Sequence, residues 1–316
     1  MNPGGAAPAL LDDGQLTRTV TVTPGMSGSG ALIFGQMGDW TWDAVRSACG
    51  TNVYVAHNAE GDPTYLSFYY FHVLGSPGLH PYGLAFGDEL EVTSRVFDFG
   101  RSSVLTLHRI ARAGTELPPG PLEPDEFYQG RHADCIYVEN FNRWITRGRK
   151  DSNQGLVEST PVGFRHSHLP RLPNAYSPRV ACTTARRHGT FHPDGPPGHI
   201  AVGPPFVTEY TLDPVRDVNA VGLAYFAAYF SIVDGALLRL WRTLGRSAAQ
   251  FLRRRVLEHQ LGYFGNADLD ATLEITVALW RDPATPDVEV ADVAVREQHT
   301  DRLLAVAEVR VDWSSS

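Results

Sequence analysis

The chain has 316 residues, 43% of them hydrophobic and 20% charged. That make-up belongs to a globular protein with one large or two smaller cores, and it excludes a disordered or fibrous chain. Lys and Arg number 27 against 35 Asp and Glu, and the net charge of −8 excludes a general electrostatic attraction to nucleic acid or to an anionic membrane.

Residues 1–23, rich in Gly, Pro and Thr, read as a loose arm before the Pro24-Gly25 break, with no signal peptide expected. The apolar run at 31–34 predicts a first strand. Asp39 as N-cap and Gly50 as left-handed stop then frame a helix over 40–49. Aromatic and β-branched stretches at 65–74, 89–97, 104–110 and 133–145 predict strands, the third placing Val104, Thr106, His108 and Ile110 on one face. Between 146 and 205 Pro, Gly, Arg and His dominate without apolar periodicity, as in an interdomain connector. A strand over 206–212, a helix over 220–243 and strands near 256–264, 269–280, 288–297 and 303–311 follow.

The order of elements therefore repeats, and four parts are expected: an arm at 1–23, a first domain at 24–145, a connector at 146–205 and a second domain at 206–316. Apolar residues on many sides of the second helix, among them Leu223, Phe230, Val233, Leu237, Leu238 and Trp241, predict a helix wrapped by its sheet. Gly87-Asp88-Glu89-Leu90 faintly echoes Ala267-Asp268-Leu269-Asp270. Cys49, Cys135 and Cys182, odd in number and far apart, argue against a disulfide framework and for a reducing cytoplasm. The most apolar stretch, 218–240, carries Asp234 and Arg239 and falls short of the roughly 18 uninterrupted residues of a membrane span.

In the second half, Asp217-Val-Asn219-Ala-Val-Gly222 followed by Tyr229-Phe230 resembles the helix opening of hot-dog fold acyl-CoA thioesterases. The resemblance implies that the position of Asn219 holds a catalytic carboxylate in that family and that the glycine region gives backbone N–H groups to the thioester oxygen. Asn219 departs from the pattern, because an amide takes no proton from water.

The first half is similar to a narrower family. Pro24-Gly25-Met26, Gly30-Ala-Leu-Ile-Phe34, Gly38-Asp39-Trp40-Thr-Trp42 and Asn58-Ala-Glu-Gly61-Asp-Pro-Thr-Tyr65 resemble the leinamycin-type bifunctional acyltransferase/decarboxylases of polyketide biosynthesis. The similarity extends over nearly the whole chain. It implies an α+β double hot-dog fold, two curved antiparallel sheets each around a central helix, in a homodimer. It also implies decarboxylation of methylmalonyl-CoA, transfer of the propionyl group to a phosphopantetheinylated acyl carrier protein, no cofactor beyond the CoA thioester, and a catalytic tyrosine. Tyr54, Tyr65, Tyr69 and Tyr70 compete for that role, and the Gly61-x-x-x-Tyr65 spacing places it on Tyr65.

Decarboxylation leaves an enolate, whose oxyanion is stabilised by fixed donors such as the first N–H groups of a helix. Asn219 to Gly222 and Gly38 to Trp42 are expected to open the two helices and to supply them, or Gly222 serves packing alone. Asp39, Trp40 and Trp42 are expected at the substrate, with Phe68 and Phe71 as further apolar wall. Tyr65 is read as a nucleophile needing a lowered pKa, as a neutral donor needing none, or as a rim tyrosine. Arg253 and Arg255, beside Arg254, form the densest basic run and suit CoA phosphates, or are a solvated helix end.

Other signals are set aside. His57-Asn-Ala-Glu-Gly61 begins a dehydratase pattern that fails at Leu66. The histidines from His166 to His199 match no zinc spacing, Gly25 to Ser29 is not a nucleophile elbow, and Gly28-Ser-Gly30, with Ile33 after it, is not a dinucleotide loop. No metal is implied. A hydrolytic thioesterase, a dehydratase and a non-catalytic acyl-binding protein stand as rival readings.

Overall fold

In the computed structural model, residues 9–10, 15–28, 30–149 and 152–314 are described, and they form two compact units. Most of the expected arm before Gln15, Ser29 of the glycine-rich motif, residues 150–151 of the connector and the last two residues lie outside the described residues.

The first unit takes residues 1–28, 32–146 and 157–178. Its strands are β1 (Ala9–Leu10), β2 (Gln15–Thr21), β3 (Tyr65–Leu74), β4 (Glu89–Asp98), β5 (Ser103–Arg112), β6 (Cys135–Arg147) and the short β7 (Leu156–Glu158). Helix α1 (Gly30–Cys49) precedes β3, and the short α2 (Pro124–Gln129) precedes β6. The antiparallel order is β1-β2-β4-β5-β6-β3.

Two expectations are corrected here. Residues 31–34 are not a strand but the first turns of α1, because Ile33, Phe34, Met37, Trp40, Thr41, Ala44 and Val45 recur at helical spacing and are buried. The first strand is β2, inside the expected loose arm; Thr and Arg at alternate positions hid its period, yet Leu16 and Arg18 are buried and its backbone pairs with β4. Helix α1 lays Ala44, Val45 and Cys49 on Leu66, Val96, Val104 and Trp144 of four strands. Each such large apolar side chain contributes roughly 1.5–3 kcal/mol on burial.

The second unit takes residues 29–31, 147–156 and 179–316. Helix α3 (Arg179–His188) and strand β8 (Ile200–Ala201) fall within the expected connector. Then come β9 (Phe206–Thr211), α4 (Ala228–Thr243), α5 (Ala248–Leu252), β10 (Arg255–Tyr263), β11 (Thr272–Arg281), β12 (Val288–Glu297) and β13 (Arg302–Asp312). The order β9-β11-β12-β13-β10 matches β2-β4-β5-β6-β3 strand for strand. The faint echo at Asp88 and Asp268 falls before the equivalent strands β4 and β11.

Helix α4 starts at Ala228, not near residue 220; residues 217–227 form a loop ahead of it. Its buried face carries Tyr229, Phe230, Val233, Leu237, Leu240 and Trp241. The wrapping is incomplete, since Gly235, Arg239 and Arg242 form an exposed stripe and Leu238 is half-buried. Among the described residues no helix is long and apolar enough to cross a membrane, and no group of three or more His, Cys, Asp or Glu could hold a metal ion.

Candidate functional site

In the first unit the loop over 57–64 delivers Tyr65 to the first position of β3. Asn58 is buried and ties the loop: its Oδ1 accepts from the N–H groups of Glu60 (3.1 Å) and Asp62 (2.8 Å), and its Nδ2 donates to Ser159 Oγ (3.1 Å). Gly61 turns the chain at φ 86°, a conformation that a side chain disfavours. Thr146 Oγ1 donates to the carbonyl of Pro63 at 2.8 Å, and Thr64 N–H donates to Ala56, so both residues before Tyr65 are held.

The four tyrosines separate by setting. Tyr65 is half-buried beside this loop. Tyr54 is 56% exposed and donates to Asp43 Oδ1 at 3.2 Å, and burial followed by Asp43 raises its phenol. Tyr69 lies under the Arg143 guanidinium, 4.8 Å from its ring centre, and Tyr70 is buried.

In the second unit the loop before α4 is a tight knot. Buried Asp217 opens it, accepting from Tyr210 Oη (2.7 Å) and Asp213 N–H (2.9 Å). Asn219 Oδ1 accepts from the N–H groups of Val221 (3.2 Å) and Leu223 (3.0 Å). Gly222 N–H donates to the Asn219 carbonyl, Tyr225 N–H to Asp217, and Ala224 N–H to Asn266 Oδ1. The N–H groups of residues 221–225 are thus engaged within the protein. The donors expected from the Asn219–Gly222 turn are therefore not free there. Helix α4 opens after Ala227 without a side-chain cap, and of its first N–H groups Ala228 donates to the Tyr225 carbonyl (3.0 Å) and Phe230 to the Ala227 carbonyl (3.2 Å).

Residues of the expected connector lock this loop. Asn153 Nδ2 donates to the carbonyls of Gly222 (2.8 Å) and Ala267 (3.1 Å), and Arg147 donates to the carbonyl of Val221 and to Asn153 Oδ1. Asp268 accepts from Ser152 Oγ (3.0 Å), Asn153 N–H (2.6 Å) and Gln154 Nε2 (2.9 Å). Gly222 is required twice: its φ is 75°, and a β-carbon there would stand 3.1 Å from the Arg147 guanidinium. Sequence reasoning missed Ser152, Asn153 and Gln154 because polar residues without periodicity resemble any loop. The echo containing Asp268 was the available signal.

The structure brings Asn219 and Gly222 together and sets the other expected residues elsewhere. Gly38 to Trp42 lies in the middle of α1, where backbone N–H groups are bonded within the helix, so it is not a helix opening and Asp39 is not its N-cap. Asp39 reaches solvent, yet the surrounding protein and then Asp43 push its carboxyl up to about 6. Trp40 is core at 3% exposure. Trp42 Nε1 donates to the carbonyl of Leu66 at 3.1 Å, which places it beside the strand that Tyr65 begins.

Arg253 to Arg255 do not act as one patch. Arg254 is buried on Asp234 at 2.7 Å, Arg255 bonds Asp312 at 2.6 Å, and Arg253 is exposed at the end of α5.

A buried polar layer beneath α1 was also missed. His108 Nε2 lies 2.8 Å from Thr41 Oγ1, and His108 Nδ1 lies 2.8 Å from Ser94 Oγ. Thr41 gives its single proton to the Met37 carbonyl and accepts from Asn140 Nδ2. It therefore accepts from His108 as well, which puts the imidazole proton on Nε2 and leaves Nδ1 to accept from Ser94. Burial, then Arg18, holds the imidazole neutral and lowers its pKa to about 3.

The family model of the LnmK N-terminal hot-dog fold domain matches residues 17–193. No curated protein matches the chain. Among solved structures it is similar to a protein described as an oleoyl thioesterase from Lactobacillus plantarum, at 9% identity and TM-score 0.58, covering 94% of this chain and 95% of that one. It is also similar to an acyl-ACP thioesterase from Bacteroides thetaiotaomicron (8% identity, TM-score 0.53, 95% and 99% covered) and to the 12:0-ACP thioesterase from Umbellularia californica (11%, 0.51, 95% and 98%). With the repeated strand order, these likenesses establish a double hot-dog fold, as expected.

Proposed function

The chain belongs to the LnmK hot-dog family, and from that premise we propose that it decarboxylates methylmalonyl-CoA and passes the propionyl group to a phosphopantetheinylated acyl carrier protein in polyketide biosynthesis. In the first step the C–C bond to the carboxylate breaks, carbon dioxide leaves and the enolate takes one proton at carbon. In the second the carrier thiol forms the new thioester and CoA leaves as its thiol. Neither step calls for a cofactor beyond the thioester.

The observation that carries this reading against hydrolysis is the state of Asn219. The hot-dog thioesterase pattern calls for a carboxylate there to act on water. Here an amide stands in its place, and its oxygen is turned into the loop to hold Val221 and Leu223. Tyr65, which follows this tied loop at the start of β3, is the proposed catalytic phenol, acting as a donor or proton source. Gly222 with Asn219 is proposed to shape the loop ahead of α4 that meets the thioester. Arg253, exposed, remains proposed for the CoA phosphates, with Arg255 beside it; Trp42 is proposed at the acyl group, and Asp39 and Trp40 support the helix behind it. A cytoplasmic homodimer is proposed with this activity.

The test is turnover of methylmalonyl-CoA with and without a phosphopantetheinylated carrier, followed by mass spectrometry of small molecules and carrier. Propionyl-carrier and free CoA support the reading; methylmalonate without loss of carbon dioxide refutes it. Tyr65→Phe should lose transfer while retaining the fold, and near-normal turnover would move the phenol's role away from Tyr65.

A further inference from the structure

Several basic side chains of the second unit have an acidic partner, while Arg239, Arg242 and Arg253 are exposed. Arg246 and Arg281 share Glu289, Arg254 holds Asp234, Arg255 holds Asp312 and Arg302 reaches Glu297. Arg186 and Arg187, in the last turn of α3, are exposed and form no ion pair among the described residues. His188 follows them, also exposed.

The face of α3 is built as a contact surface would be. Cys182 and Ala185 are buried, fixing the helix on the unit, with β10 and β13 adjacent. The opposite side shows Val180 at 76% exposure, Thr183, Arg186 and Arg187, one and two helical turns apart. The chain turns away at Gly189, at φ 72°, where a β-carbon would lie 3.4 Å from the Arg296 guanidinium, itself paired with Asp301. Helix α3 carries Arg179, Arg186 and Arg187 and no acidic residue, so its exposed side is locally basic. Cations in a last helical turn also favour the helix dipole, but that benefit is small.

The net charge of −8 repels an acidic partner as a whole, so such a partner can approach only where a local field reverses the sign. We propose that the exposed face of α3 docks an acidic helical carrier protein bearing phosphopantetheine, with Arg186 and Arg187 on its carboxylates and Val180 at the centre of the contact. The proposal rests on the carrier-dependent transfer proposed above, and names the surface that would receive the carrier.

The experiment measures binding of a fluorescein-labelled, phosphopantetheinylated acidic acyl carrier protein to the whole chain by anisotropy. The Arg186→Glu/Arg187→Glu variant is compared with an Arg101→Glu/Arg242→Glu control, which makes the same change in net charge at exposed positions elsewhere. The expected result is binding weakened at least about tenfold in the first variant and less than about threefold in the control, with the difference shrinking as salt rises from about 50 mM to about 300 mM. Circular dichroism checks that both fold. Equal loss in both variants, no loss in the first, or no binding of this carrier by the natural chain at the lower salt would overturn the proposal. So would equally tight capture of vesicles of anionic phospholipid through the same two arginines. Carbon dioxide release from methylmalonyl-CoA, measured without carrier, reports separately on the proposed chemistry. Docking through α3 without any release would sink the chemistry and leave the surface standing.

Discussion

His108 offers a stability test that needs no substrate. The imidazole is buried, neutral and fixed by Thr41 and Ser94, with a folded-state pKa lowered to about 3 from an ordinary 6.5. Below pH 6.5 the unfolded chain takes up a proton that the folded chain refuses, so stability present above that pH is lost progressively as pH falls towards 3. Between pH 7.5 and 5.0 the linkage amounts to about 2 kcal/mol, or roughly 1.4 kcal/mol for each pH unit below 6. Denaturant unfolding followed by tryptophan fluorescence, on the natural chain and on His108→Gln, isolates this contribution. The natural chain should lose about 2 kcal/mol more than the variant between the two pH values, after both have lost whatever their other groups impose. Parallel pH dependences would refute the buried neutral imidazole. If the variant fails to fold, the imidazole Cε1–H resonance of the natural chain decides: it should not titrate between pH 7.5 and 5.0.

Other perturbations have defined outcomes. Gly222→Ala should lower stability by about 1–2 kcal/mol, through a left-handed backbone and the nearby Arg147 guanidinium, and calorimetric melting checks it; an unchanged melting temperature would mean the loop adapts. Asn219→Asp should keep the knot, since a carboxylate accepts the same two N–H groups, and should not create hydrolysis of acyl-CoA. Appearance of free acid in a thiol-release assay would show that this position faces substrate after all. Asn58→Ala removes three hydrogen bonds from the loop before Tyr65 and should cost about 1–3 kcal/mol and slow transfer, as read by thermal melts and by carrier acylation. Asp268→Ala should loosen residues 152–154, seen as faster amide exchange there, and unchanged exchange would assign their order to other contacts.

Much of the fold was legible from period and composition. Strands such as Glu89–Asp98 and Val288–Glu297 announce themselves by β-branched and aromatic content, and the order of elements in the two halves repeats in the chain as it does in the sheets. Where sequence and structure part, the cause is shared: tertiary surroundings, which local composition does not contain, decide the element. Residues 31–34 could be strand or helix until the buried positions at Met37, Trp40 and Ala44 extended their period. Leu223 and Phe226 looked helical, but Asn219, Asn266 and Asp217 satisfy that backbone as a loop. The arginines at 253–255 looked like one patch because their counter-charges, Asp234 and Asp312, are distant in sequence. The polar layer at His108 was hidden for the same reason, its partners coming from α1, β4 and β6.

The two units share one strand order yet differ in what they build on it. The polar seam of Thr41, His108 and Asn140 in one unit and the Asn219 knot with its Asn153 brace in the other are local features laid on one shared strand order. Grafting the 217–227 segment onto the equivalent turn of the first unit would ask how far either unit can stand in for the other.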